Sequence, residues 1–166
     1  MKRLGFATAV LALGLAAGCG DDNGTPGGPS GNLTVFTVPL SAQNEVPPIT
    51  NAENGARGTA VITINSETNT VDFAVSLNNF PTTSTLTAAH IHGPGGAGVI
   101  ANVVVNTSLA TSNAPSLSTG SGTFTFTGRE GTNATIVPAI LANPQSYYFN
   151  VHTSLNPAGV IRGQLR

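Results

Sequence analysis

Apolar and polar residues alternate in short stretches from Leu33 to the C-terminus, and turn-forming residues separate the stretches. In the segment 71–78, Val71, Phe73, Val75 and Leu77 fall on one face, while Asp72, Ser76 and Asn78 fall on the other. Strand side chains alternate with period two, so one face is core and the other is wet. Segment 58–64 has the same rhythm, and Asn65-Ser66-Glu67-Thr68-Asn69 between the two predicts a hairpin. Further strands are predicted at 33–38, 85–92, 99–105, 122–127, 147–153 and 160–165. Between 133 and 142, Ile136, Ile140 and Leu141 keep helical spacing around Pro138, which limits the segment to a turn or two of helix. Strands at turn-punctuated intervals predict an all-β fold: an antiparallel β-sandwich or closed barrel of about eight strands with Greek-key connections.

The first 31 residues break this pattern. Lys2 and Arg3 precede an apolar run from Leu4 to Ala17 that is short for a membrane span, as in an export signal. Leu15-Ala16-Ala17-Gly18-Cys19 resembles a bacterial lipobox, with its leucine one place further upstream than usual. Residues 1–18 then form a lipoprotein signal peptide, and Cys19 becomes the lipidated first residue of the mature chain. An ordinary secretory peptide with an incidental thiol is the alternative. Residues 19–31 are rich in Gly, Pro and Ser and read as a flexible linker, able to hold a domain about 20 Å from a membrane. The expected location is the bacterial cell envelope, lipid-anchored and periplasmic or surface-exposed.

Composition then narrows the function of residues 32–166. The one cysteine of the chain, Cys19, precedes the domain, which therefore has no disulfide framework, thiolate ligand or thiol nucleophile. Without Lys2 and Arg3 the mature chain from Cys19 keeps four arginines against seven carboxylates. No basic stripe exists, and nucleic acid is not an expected partner. Charged residues make up 8% of the chain, which leaves chemistry few places to reside.

The three histidines are therefore informative. His90 and His92 flank Ile91; if Ile91 enters the core, both imidazoles turn to the opposite face. In the segment 147–153, Phe149 and Val151 share one face, and Tyr148, Asn150 and His152 share the other. Imidazole is the commonest metal-ligand side chain, and three on one face suit copper or zinc. The competing possibility is that the rings bond loop backbone and pin the turn 93–98, whose glycines let backbone approach closely.

Two other stretches look constrained. Glu45 precedes Val46-Pro47-Pro48, a rigid extended segment. Asn156-Pro157-Ala158-Gly159 begins a turn that leads into Val160-Ile161-Arg162-Gly163-Gln164. Glu45 and Arg162 could form a structural ion pair, or Glu45 could serve as a fourth ligand or an acceptor that orients an imidazole. Neither a nucleophile elbow nor a P-loop occurs, so catalysis is not expected.

Four motifs, Glu45-Val46-Pro47-Pro48, Ala89-His90-Ile91-His92-Gly93-Pro94, Asn150-Val151-His152-Thr153 and Asn156 to Gln164, resemble the CHRD domain in their residues and order. That module, named from animal chordin, also occurs in bacterial secreted proteins. The resemblance covers the chain from about Leu33 to Arg166. It implies a β-sandwich like that of copper/zinc superoxide dismutase, although this chain has too few histidines for a dinuclear centre. Where the family usually carries a glutamate, this chain has Val160. The expected function is a membrane-tethered protein that binds one copper or zinc ion through His90, His92 and His152. A metal-free module for an envelope or extracellular protein partner is the alternative.

Overall fold

The computed structural model describes residues 32–166; the leader, Cys19 and the linker lie outside the described residues. Eight strands form one antiparallel sheet: β1 (Leu33–Ser41), β2 (Arg57–Asn65), β3 (Thr70–Asn78), β4 (Leu86–His92), β5 (Val103–Asn106), β6 (Gly122–Glu130), β7 (Tyr148–Thr153) and β8 (Ile161–Gln164). Their order is β5-β4-β7-β8-β1-β2-β3-β6. The two ends meet through a single bridge, Val105 to Gly131, so the sheet almost closes on itself. Around the resulting barrel, the β3–β4 and β6–β7 connections each pass over two strands, which is the Greek-key arrangement.

The β2–β3 hairpin forms where the alternation predicts it. Asn65 Oδ1 accepts from the backbone of Glu67 and Thr68, and Asn69 takes a left-handed φ of 55°. Asparagine tolerates both roles, which makes it a natural turn residue. Val71, Phe73, Val75 and Leu77 all enter the interior. There Phe73 of β3 stacks on Phe149 of β7, with ring centroids 5.5 Å apart, joining opposite sides of the barrel.

One predicted strand shortens, and the predicted short helix forms. The strand expected at 99–105 begins only at Val103, because the backbone before it has other partners: Gly93 N–H donates to Asn102 O, and Val99 O and Ala101 O accept from side chains. Helix α1 (Ile136–Ala142) forms despite Pro138, which falls in its first turn, where no backbone donor is missed. Val160 is fully buried in the apolar core.

β7 positions the candidate site. All six of its residues are buried, although only alternate ones face the barrel interior. The loops 93–102 and 154–160 cover its outer face. Into that covered layer project Tyr148, Asn150 and His152, with His90 and His92 from neighbouring β4.

Candidate metal centre

Ile91 is fully buried, so His90 and His92 share the opposite face of β4. In the antiparallel register His90 lies across from Asn150, His92 across from Tyr148, and Ala88 across from His152. The parity expected from the sequence therefore brings the three imidazoles together. One ring nitrogen from each lies within 4.8 Å of the others. His90 is half-buried, and His92 and His152 are buried.

Backbone carbonyls fix the tautomers of two rings. His92 Nδ1–H donates to Ala101 O at 2.9 Å, and His152 Nδ1–H donates to Pro157 O at 2.9 Å. Each Nε2 is thereby left with its lone pair. His152 Nε2 takes a hydrogen bond from His90 Nδ1 at 3.1 Å. His92 Nε2 is buried and has no hydrogen-bond partner. Donors of a tetrahedral zinc-type site lie about 3.3 Å apart, close to the His90–His152 separation.

The rings are held neutral. Desolvation, with the His152 and His92 rings adding to it, pushes His90 down to about 4. Burial also lowers His92 and His152, against the bonds to Ala101 and Pro157, which oppose the shift. Neutral imidazole is the ligating form, so a metal needs only the proton shared by His90 Nδ1 and His152 Nε2 to move to His90 Nε2.

A stacked platform supports His92. Tyr148 lies parallel to the ring, with centroids 4.9 Å apart and an interplanar angle of 3°. The Tyr148 hydroxyl accepts from Ala101 N–H at 3.1 Å, so the ring that packs on His92 also anchors the residue whose carbonyl orients it. On Tyr148 rests the Arg162 guanidinium, 3.3 Å from the ring centroid. Arg162 Nη2 donates to Gly96 O and Val99 O, each at 2.9 Å, pinning the glycine-rich loop.

Glu45 stands beside Asn150, outside the imidazole trio. Carbonyls of Ala101 and Pro157 orient the rings, and Arg162 acts on Glu45 through its charge while its Nη2 serves the loop. Burial raises Glu45 to about 7, against the opposing effects of Arg162 and the Asn150 amide. Beside Glu45 and Arg162 a cavity of about 510 Å³ opens to solvent, also lined by Gln43, Asn44, Gln164 and Arg166.

Glu53 carries a structural role that the alternation did not mark. It is 1% exposed and accepts from Ser84 Oγ at 2.5 Å, Thr153 Oγ1 at 2.6 Å and Asn156 Nδ2 at 2.5 Å. These bonds clamp the start of the loop whose Pro157 orients His152. The available signal was compositional: a carboxylate in a charge-poor chain needs a reason to be there.

A comparison with family models matches the CHRD domain over residues 36–165. No curated protein and no solved structure gives a match.

Proposed function

The chain belongs to the CHRD domain family, and from that premise we propose that it binds a single transition-metal ion through His90, His92 and His152. The observation that carries this reading is His92 Nε2, a buried lone pair without a partner on a ring whose other nitrogen is already fixed. A buried polar atom left unsatisfied is costly, and an ion shared with its two neighbours removes that cost. The Nδ1–carbonyl bonds are the outer support that metal-bound histidines characteristically have. Copper ranks before zinc, because nitrogen sites bind Cu²⁺ most tightly among the divalent first-row metals. The role is metal handling or storage, without turnover, in a protein tethered to the bacterial envelope through lipidated Cys19.

The test is metal analysis of the purified protein beside a His90→Ala, His92→Ala double variant, after loading with copper and with zinc. One ion per wild-type chain and almost none in the double variant is expected. Equal, near-zero content in both would overturn the reading. It would favour a metal-free interaction module, for which the exposed Val99, Ile100 and Leu155 on the covering loops would be the contact residues.

A further inference from the structure

Among the described residues, three buried side-chain atoms have no hydrogen-bond partner: His92 Nε2, Asn150 Oδ1 and Glu45 Oε1. All three can accept, and they belong to a contiguous group. The Asn150 amide neighbours His92 on one side and Glu45 on the other. Asn150 is 2% exposed and sits directly across the sheet from His90, two residues before His152.

The orientation of the amide follows from its surroundings. Gly159, at φ 132°, leaves a gap where a Cβ would lie 2.6 Å from Asn150 Nδ2 and 2.7 and 2.9 Å from the two Glu45 oxygens. The amide nitrogen and the carboxylate therefore share one small space, and Nδ2–H is on the Glu45 side. Its carbonyl is turned away from that carboxylate. With His92 Nδ1–H committed to Ala101, Asn150 Oδ1 and His92 Nε2 are two neighbouring lone pairs with no proton between them. A cation satisfies both at once, where a further acceptor could satisfy neither.

Resting on the metal reading above, we infer that Asn150 Oδ1 is the fourth donor to the ion, giving a closed three-imidazole, one-amide site. Glu45 is then a positioning residue. It lies beside Nδ2 and fixes which end of the amide meets the metal. Gly159 is part of the same device, since a side chain there would push the amide and the carboxylate apart. Closure has a functional consequence: sites that retain the ion fill every position with protein, whereas catalytic sites keep one open for water or substrate. A closed N₃O site retains its ion.

Cobalt(II) and copper(II) are suitable probes, used on the full chain. Asn150→Ala is expected to keep one ion per chain, held by the histidines, with affinity reduced about 10–100-fold. The visible Co(II) bands should change as water enters the vacated position. Asn150→Asp, which preserves an oxygen donor at the same place, should restore four-coordinate Co(II) bands. A measurement free of substitutions is pulsed EPR of the Cu(II) protein labelled with ¹³C-asparagine, in which a carbon hyperfine coupling is expected. Wild-type metal binding with no such coupling, or with an Asn150→Ala Co(II) spectrum and affinity unchanged, overturns the fourth donor and leaves the histidine site intact. Absence of metal from the wild type overturns both.

Discussion

β2 and β7 are both antiparallel strands of the same sheet, yet they treat their outer faces differently. In β2 buried residues alternate with exposed or half-buried ones, and Val61 is 37% exposed on the outside. In β7 all six residues are buried. The difference arises outside the strands, where loops 93–102 and 154–160 fold over β7. A polar side chain on the outside of β2 needs only water. On the outside of β7 it needs a named partner, and the atoms without one mark the candidate site.

The contrast can be broken first from the inside. Phe149→Ala removes the ring that stacks on Phe73 and should cost about 3–5 kcal/mol in denaturant unfolding. Because β7 carries the site on its other face, metal binding should fall with it. A cost below about 1 kcal/mol would mean that the barrel interior is not what holds β7 in place.

The covered layer should respond to pH in two opposite senses. Glu45 is raised to about 7, so its folded form binds a proton that the unfolded chain releases near 4.5. Its favourable contribution is complete below 4.5 and is lost as pH rises through 7. Glu45→Gln should therefore match the wild type near pH 4.5 and exceed it by up to about 3 kcal/mol near pH 8. The imidazoles are lowered, with His90 at about 4, so their contribution is complete above 6.5 and is lost as pH falls. Unfolding curves across that range separate the two, and a Glu45→Gln variant with no growing advantage above pH 7 would contradict the burial of that carboxylate.

Smaller effects sharpen the comparison. Tyr148→Phe removes the acceptor for Ala101 N–H and should cost about 1 kcal/mol. It should also weaken metal binding severalfold, by loosening the carbonyl that orients His92. Val61→Thr, on the wet side of β2, should change stability by less than about 0.5 kcal/mol. A larger loss there would show that β2 is covered too.

Period-two alternation made much of this legible. It located the β2–β3 hairpin, turned His90 and His92 away from Ile91, and grouped Tyr148, Asn150 and His152. The covering of β7 was not legible, because it depends on loops distant in sequence. For the same reason residues 99–102 read as strand: Val99 and Ile100 are apolar, and nothing local reveals that Arg162 and His92 take the carbonyls there. Arg162 and Glu45 were marked as constrained, but their contacts with Tyr148 and Asn150 follow from the tertiary register. Glu53 lies in a polar loop with no periodicity, and only the three donors that converge on it reveal its role.

The central claim is that the orphaned lone pair of His92 belongs to a metal ion. Thermal unfolding of the wild type and of His92→Ala, each with excess zinc or with chelator, tests it directly. Binding to the folded state alone stabilises it by about 4 kcal/mol at a thousand times Kd, so the wild-type Tm should rise with metal and the variant's should not. Identical wild-type transitions with metal and with chelator would contradict the account.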